Sequence, residues 1–383
     1  LDLLPWPSMN TYQSTSIQLP LAIGVVAVGQ LTLFLLWKWL LLGRAHEAHV
    51  PRWSWLFFRW YLLRTFWSLN SILLRPLHNT AMLNTYLRLL GADIARGALV
   101  GTSDLDCCFD LLSVGENAYI RSDVAIRCVD QRDGIAMRRV RVGARTAVSS
   151  RCVLQPGADI GSDCLVHPFS AVDGVVEDGS EFEGRQSLAP RKTSKSGPAQ
   201  TQPLLLSAAH SLAIAFTLLL TVQPIAIADY VLESVLSPTW LSQTLYLPIA
   251  LVFVVAPLTA TVASLLIRLV TLGARPGSYS LFSFAAFRLL WLPQLWLEVF
   301  GPSFAFFSWT SLPFFLRLMG ARVGRGTAII CRLSSFSVPC LVSIGDNCFL
   351  TSDLSIGTVR FEGQQLLLAK TVIGNDVMLG ELH

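Results

Sequence analysis

The chain has 383 residues, enough for two or three domains, and 52% of them are hydrophobic. Only 14% are charged, against about 25% in a typical soluble domain, and this deficit favours membrane segments over a wholly soluble protein. The net charge of +4 is mild and no basic stripe is present, which argues against nucleic acid as a partner.

The first candidate membrane segment follows a polar stretch. Residues 1–16 carry Asp2 but no Lys or Arg, and residues 17–37 are uncharged before Lys38 and Arg44. Such a run is long enough to cross about 30 Å of hydrocarbon as a helix. No basic region precedes it and no small-residue cleavage site follows, so it is not a signal peptide. We predict an extracytoplasmic segment over 1–16 and a transmembrane helix over 17–43.

An aromatic and arginine-rich stretch comes next. Residues 52–77 mix Trp, Phe and Leu with Arg52, Arg59, Arg64 and Arg75. Four arginines make a full membrane crossing expensive, whereas they suit a helix lying in the membrane interface. We therefore predict an interfacial amphipathic helix over 52–83.

A six-residue repeat dominates the predicted first module, residues 84–184. It reads VGARTA, VSSRCV, LQPGAD, IGSDCL, VHPFSA, VD, with an aliphatic residue first in each hexad and a small residue fifth. A stripe every six residues drifts around a 3.6-residue helical turn, and a flat strand repeats every two. The spacing predicts a parallel β-helix, in which each hexad forms a short strand and a turn. Short hexad fragments precede the run, and a loop over 127–141 interrupts them. The aliphatic positions are Val142, Val148, Leu154, Ile160, Val166 and Val172.

The second half of the chain repeats this order. We predict a linker over 185–203, transmembrane helices over 204–228 and 245–272, interfacial helices over 279–315, and a truncated second module over 316–383. Lys and Arg flank the spans only on the module side. The positive-inside rule therefore places both modules in the cytoplasm, with 1–16 and 229–244 outside.

Three pairs of segments show that the chain repeats itself. YLRLLGADIARG at 86–97 matches FLRLMGARVGRG at 315–326, LLSVGENAYIRSD at 111–123 matches LVSIGDNCFLTSD at 341–353, and RVGARTAVS at 141–149 matches VIGNDVMLG at 372–380. The repeated unit is a membrane helix, an interfacial helix and a β-helix module. The second unit has two spans before it and the first has one, and the second module lacks the long hexad run. We therefore expect the chain to be a fragment of a longer protein.

These features resemble the C-terminal membrane region of nonribosomal peptide synthetase-like proteins of the ε-poly-lysine synthetase type. The residues that carry the resemblance are the aromatic-Arg stretches, the LRLLGA and LRLMGA segments, the Asp110-Leu-Leu-Ser-Val-Gly and Val342-Ser-Ile-Gly-Asp segments, and the Phe361-Glu362 loop. The hexads themselves are similar to those of hexapeptide acyltransferases, in which the coil is left-handed. The resemblance implies an integral membrane protein, with the plasma membrane as the expected location. It also implies amide formation between an amine and a phosphopantetheine-tethered thioester, which adenylation and carrier domains upstream would supply. No cofactor is expected to be bound by this chain itself.

Amide formation from a thioester needs a base for the amine and donors for the oxyanion. The resemblance implies a His near Cys128 and Val359, and neither position has one. The candidates for catalysis are therefore His167, the one His inside the hexad run, and Cys128, as a thiolate beside Arg127 and Arg132. A solvated turn histidine and a plain loop cysteine are the alternative interpretations.

Four further residues are candidates for substrate binding. Asp110 and Asp133 could orient an amine, and Arg132 and Arg139 belong to a basic rim that would suit phosphates. No Cys/His metal spacing is present. Two other functions remain open: a non-catalytic membrane scaffold with degenerate modules, and a product-export region, for which His210 inside the second span is the pointer.

Overall fold

The computed structural model describes residues 9–131, 134–190, 203–235, 255–305, 311–331, 336–351, 354, 356–362 and 365–380. The chain forms two compact units. The first unit comprises Val26–His210 with Phe361–Gln365, and the second comprises Leu1–Val25, Ser211–Arg360 and Leu366–His383.

Two of the described helices are long and apolar enough to cross a membrane, judged by length and composition: Ser16–Leu41 and Leu205–Pro224. The first lies in helix α1 (Met9–Leu41), close to the predicted span 17–43, and part of the predicted segment 1–16 is helical as well. The second lies in helix α4 (Leu204–Val235), which continues past the predicted end at 228 into the segment expected outside the membrane. Of the predicted span 245–272, the described part is helix α5 (Ala256–Thr271).

The predicted interfacial helix over 52–83 is two helices. Helix α2 (Trp55–Leu74) begins where the Ser54 hydroxyl accepts the Phe57 N–H at 3.2 Å. A 3₁₀ turn (Arg75–Leu77) follows and contains Pro76, which ends the regular hydrogen bonding. Helix α3 (Ala81–Leu89) then starts at the Thr80 cap. The break allows both helices to pack on the module.

The described residues of the first unit also form seventeen short strands. They are β1 (Ala48–Val50), β2 (Asp93–Ile94), β3 (Leu99–Val100), β4 (Leu112–Val114), β5 (Tyr119–Ile120), β6 (Ala125–Ile126), β7 (Val129–Asp130), β8 (Ile135–Met137), β9 (Val140–Val142), β10 (Ala147–Val148), β11 (Val153–Leu154), β12 (Asp159–Ile160), β13 (Leu165–Val166), β14 (Ala171–Val172), β15 (Val175–Val176), β16 (Ser180–Glu183) and β17 (Gln186–Pro190).

Most of these strands stack in three parallel sheets. Sheet one holds β2, β4, β9, β12 and β15, sheet two holds β3, β5, β10, β13, β16 and β17, and sheet three holds β6, β11 and β14. Within the hexad run, partners in sheets two and three lie 18 residues apart, as in 147 with 165 and 153 with 171. Three hexads therefore complete one coil, and the predicted parallel β-helix is present. The predicted burial of Val148, Leu154, Ile160 and Val166 is confirmed.

Three of the small fifth residues of the hexads have a second role besides fitting the narrow core. The Thr146 hydroxyl donates to the Gly161 carbonyl at 2.6 Å, and the Cys152 and Cys164 thiols donate to the carbonyls of His167 and Glu177. Each of these donors reaches the turn of the next coil. The position therefore links successive coils through hydrogen bonds that satisfy buried carbonyl groups.

The corner between sheets three and one is enlarged in two successive coils. The first insertion covers 106–111 and contains a 3₁₀ turn (Phe109–Leu111). The second is the predicted loop over 127–141, which forms a hairpin of β7 and β8. Strand β1 pairs antiparallel with β8, joining His49 to Ala136, so the segment after α1 becomes part of the hairpin sheet. At the far end, β17 turns back antiparallel on β16 and extends the module to Pro190, beyond the predicted boundary at 184.

The second unit follows the same order, and its described residues form fewer coils. After α5 come β18 (Gly277–Ser280), α6 (Phe284–Ala286), a π-helical turn (Phe287–Trp291), α7 (Leu292–Ala305) and α8 (Leu312–Leu318). The remaining described strands of the chain are β19 (Arg322–Val323), β20 (Ala328–Ile329), β21 (Val342–Ile344), β22 (Phe349–Leu350), β23 (Val359–Glu362), β24 (Gln365–Leu368), β25 (Thr371–Ile373) and β26 (Met378–Leu379). Strand β18 joins β24 and β23 as β1 joins β8 and β7. The internal repeat of the sequence is thus a repeat of topology.

The arginines of the LRLLGA and LRLMGA segments make equivalent hydrogen bonds in the two units. Arg88 donates to the carbonyls of Ile94 and Ala95 at 2.8 and 3.1 Å. Arg317 donates to those of Val323 and Gly324 at 2.9 and 2.6 Å. In each unit the guanidinium ties the last helix before the module to the first turn of the coil.

Candidate functional site

His167 opens the turn between sheets two and three in the last full coil. Its Nε2 lies 3.2 Å from Oε2 of Glu181 in β16, and the two side chains are 27% and 29% exposed. Among the described residues no other hydrogen bond reaches the ring. In the tautomer that donates Nε2–H to the carboxylate, Nδ1 carries the lone pair. The pair therefore has the arrangement of a base oriented by an acid.

Two polar residues share the column of His167 on earlier coils. The N–H of Ser149 donates to the Val166 carbonyl, and the N–H of His167 donates to that of Phe182, so they hold the same place in successive strands. Arg121 holds the same place one coil earlier still. Neighbouring strands lie about 4.8 Å apart, which keeps these residues within side-chain reach of one another. The column offers a base together with a hydroxyl and a guanidinium, and acyl transfer to an amine uses a base and hydrogen-bond donors.

A second polar cluster lies at the enlarged corner. Arg127 makes two hydrogen bonds to the Asp104 carboxylate at 2.7 and 2.9 Å. The buried Asp106 accepts the N–H groups of Cys128 and Val129 at 3.0 and 3.2 Å. Burial raises the pKa of the Asp106 carboxyl above its ordinary value, although Arg127 and the two N–H groups act in the opposite direction. Asp106 thus holds the start of the hairpin onto the preceding coil.

Cys128 is buried under this hairpin. Burial, together with the charge of Asp106, raises the pKa of the Cys128 thiol well above its ordinary range. A nucleophilic thiol needs the opposite shift and access to solvent. The placement does not favour Cys128 as the predicted thiolate, because Arg127 is engaged with Asp104 and does not offset the burial.

Asp110, predicted to orient an amine, has partners inside the protein. Its Oδ2 accepts from Lys38 Nζ at 2.9 Å and from the Ala45 N–H at 3.1 Å. The Lys38 side chain is 0% exposed and that of Asp110 is 12% exposed. Gly91 has φ +109 and leaves room for the carboxylate, since a Cβ there would meet Oδ1. The geometry gives Asp110 the role of joining the end of α1 to the module.

The remaining predicted binding residues lie in the hairpin. Arg139 is exposed, and its N–H donates to the Glu47 carboxylate at 3.1 Å. Arg132 and Asp133 lie outside the described residues. His167 sits at the corner between sheets two and three, whereas the hairpin leaves between sheets three and one. The structure therefore does not bring His167 together with Cys128, Asp110 and Arg139 in one site.

The second unit has different side chains at the matching corner. Cys340 lies in the 3₁₀ turn that corresponds to that of Asp110, and its thiol faces the Thr271 carbonyl at 3.6 Å. Thr358 stands where Cys128 stands in the first unit, and it accepts the Val338 N–H. Because Cys340 stands in the place of Asp110, the second unit has no counterpart of the Lys38–Asp110 ion pair at this position.

The sequence interpretation missed Glu181, Asp106 and Lys38. The signal for Glu181 was its place one short coil after Leu165, with which it pairs in sheet two. Neither Asp106 nor Lys38 was marked by a sequence period. The partner of Lys38 is 72 residues away, and the partners of Asp106 lie in an irregular insertion. No group of three or more metal-ligating side chains occurs in the part of the chain that the structure describes.

No protein-family model matches this chain. It is similar to the delta-poly-L-ornithine synthetase of Acinetobacter baumannii, with 21% identity over 366 residues, which is 90% of this chain and 27% of that protein. The chain thus spans just over a quarter of the length of the curated relative it matches.

Two solved structures share a limited likeness. A maltose O-acetyltransferase from Clostridium difficile is 14% identical, with a TM-score of 0.28 over 38% of this chain and 92% of that one. An N-acyltransferase from Bacillus cereus is 11% identical, with a TM-score of 0.18 over 27% of this chain and 60% of that one.

Proposed function

We propose that this chain is a membrane-bound acyl- or aminoacyltransferase region of a nonribosomal peptide synthetase-like protein. The observation that carries the proposal is the similarity to the poly-ornithine synthetase over 366 residues. That match covers 90% of this chain, so it concerns most of the repeated arrangement rather than a hexad coil alone.

The proposed reaction joins a thioester to an amine. The amine nitrogen attacks the thioester carbonyl, the carbon–sulfur bond breaks, and the products are an amide and a free phosphopantetheine thiol. His167 takes the proton of the attacking amine at Nδ1 and returns it to the leaving thiolate, while Glu181 holds the ring through Nε2. Ser149 and Arg121 supply donors for the tetrahedral oxyanion. Cys128 has no role in this scheme.

The proposal includes the partners and the placement of the chain. Adenylation and carrier domains supply the phosphopantetheine-tethered donor, the coil is left-handed, and both modules face the cytoplasm. Arg139 and Arg141, exposed beside the hairpin, would meet the phosphate of the phosphopantetheine arm.

A non-catalytic scaffold is the second candidate. Cys340 and Thr358 in the second unit leave its matching corner without a charged pair, and no histidine takes their place. Neither module therefore has the histidine that the resemblance implies at this corner, and this favours a structural role for the corner in both units.

The experiment is product formation by the full chain in nanodiscs, given an aminoacyl-pantetheine thioester and an amine acceptor. His167→Ala should lower the rate about 10²-fold or more, as expected for loss of a general base. Glu181→Gln should lower it less, because the ring remains but is poorly oriented. Asp163→Asn is the matched control, since its ion pair with Arg145 lies on the exposed surface of the coil. Equal rates in all four proteins would leave the first module as a scaffold.

A further inference from the structure

One face of helix α2 carries large aromatic side chains in solvent. Trp53, just before the helix, is 91% exposed, and Trp55, Phe58 and Tyr61 are 66%, 52% and 58% exposed. We call these four residues the aromatic patch. Trp55 stacks on Phe58 with ring centroids 5.6 Å apart. A contiguous apolar surface of this kind marks a site of interaction.

The opposite face of α2 fixes the orientation of the patch. Trp67 donates its Nε1–H to the Ser103 carbonyl at 3.0 Å, and its ring lies 4.8 Å from that of Phe109. Phe34 of α1 packs on the same Trp67 ring at 5.1 Å. Helix α2 is therefore held between the module and a helix long and apolar enough to cross a membrane, with the patch on its exposed face.

The residues around the patch carry a net positive charge, and the exposed Glu47 lies three residues after Arg44. Residues 48–92 contain five arginines and no Lys, Asp or Glu, which gives a formal charge of +5. The Arg59 guanidinium lies 5.3 Å from the centre of the Trp55 ring. Arg44, exposed just after α1, adds a further positive charge. Tryptophan, tyrosine and arginine at the end of an apolar helix are the residues that favour the headgroup region of a bilayer.

We infer that the aromatic patch inserts into the headgroup region of a bilayer and that Arg44 and Arg59 bind the phosphates of anionic phospholipids there. The inference deepens the proposed function, because it rests on the membrane placement of the chain. Guanidinium groups bind phosphate through paired hydrogen bonds, and the patch supplies the apolar contact beneath them. The occupant is thus a lipid surface with negative charge rather than another protein.

The test uses the full chain in vesicles of phosphatidylcholine and phosphatidylglycerol, with an environment-sensitive fluorophore on an introduced cysteine. Phe58→Cys reports the patch, Leu36→Cys reports α1, and Glu116→Cys, on an exposed turn of the coil, is the matched control. Nitroxide-labelled phosphatidylglycerol and phosphatidylcholine are compared as quenchers at equal mole fraction. At position 58 we expect quenching by the anionic lipid to be at least about threefold stronger, since each basic residue near such a surface contributes about a fivefold preference.

Substitution of the arginines separates charge from insertion. Arg44→Gln with Arg59→Gln should bring the two quenchers to equal effect at position 58, whereas Arg185→Gln, an exposed residue in the turn between β16 and β17, should leave the preference unchanged. Equal quenching by both lipids in the parent protein would overturn the anionic assignment. Quenching at position 36 but not at 58, as when a protein surface covers the patch, would overturn the inference alone. No quenching at 36 would overturn the membrane placement in the proposed function as well.

Discussion

The buried pair of Lys38 and Asp110 allows a quantitative test of how the first module is joined to α1. Unit charges 2.9 Å apart attract by about 6 kcal/mol at an effective dielectric constant of about 20. Desolvation of the fully buried ammonium offsets most of this, so the intact pair stabilises little on balance. Removal of one partner leaves the other buried without compensation and typically costs about 3–5 kcal/mol.

We therefore expect Lys38→Met to lower the local stability by about 3 kcal/mol. We take the lower end of the range given above because, without Lys38, Asp110 still accepts the Ala45 N–H and keeps some contact with solvent. The assay is amide hydrogen exchange of the peptide that contains Ala45, measured by mass spectrometry on the full chain in nanodiscs. A loss of 3 kcal/mol means exchange faster by about 10²-fold in the local opening regime.

The double variant Lys38→Met with Asp110→Leu provides the matched control. It removes both charges. The amides of the peptide other than that of Ala45 should therefore exchange within about tenfold of their rate in the parent protein. Asp163→Asn, which removes an exposed pair with Arg145, should change exchange around its own turn by less than about fivefold. If Lys38→Met exchanges like the parent, or the double variant is worse than the single one, the pair does not join helix and module as argued.

Three further predictions follow from the coil and its enlarged corner. Ile160→Asp places a charge on the axis of the β-helix, so thermal unfolding should move down by more than 10 °C or folding should fail, and an unchanged melting curve would contradict the hexad assignment. Because burial raises the pKa of Asp106 in the folded state, its contribution to stability is complete below about pH 4 and is lost as pH rises. Asp106→Asn should therefore lessen the fall in melting temperature between pH 4 and pH 7, and an identical pH dependence in both proteins would refute the shift. The raised pKa of the buried Cys128 thiol predicts at least about 10²-fold slower maleimide labelling at pH 8 than after denaturation, whereas rapid labelling of the folded protein would restore Cys128 as a candidate nucleophile.

The coil was predictable from sequence because it is periodic. One aliphatic residue per hexad faces the axis of the coil, so the six-residue spacing alone predicts that positions such as Leu154 and Val166 are buried. The helix break after Leu74 was less visible, since aliphatic residues continue on both sides of Pro76. The join between β1 and β8 was not predictable, because it pairs residues nearly ninety positions apart, as in His49 with Ala136.

The candidate site was predictable only in part. His167 stood out as the one histidine in the hexad run, but its partner Glu181 lies in a coil shortened to 16 residues, 165 to 181, where the register no longer follows the hexads. Asp110 and Cys128 lie in irregular segments, and they were proposed as site residues for the chemistry of their side chains alone. Burial decided their roles, and burial in an insertion depends on contacts with α1 and α2 that no local pattern encodes.

The measurement that tests the central proposal most directly is the release of thiol from an aminoacyl-pantetheine thioester by the full chain in nanodiscs, followed in parallel with amide formation. The proposal predicts equal amounts of thiol and amide, a rate above that of empty nanodiscs with the same amine, and a loss of about 10²-fold or more in His167→Ala. Thiol release without amide, or amide formation that His167→Ala and Glu181→Gln leave unchanged, would contradict it.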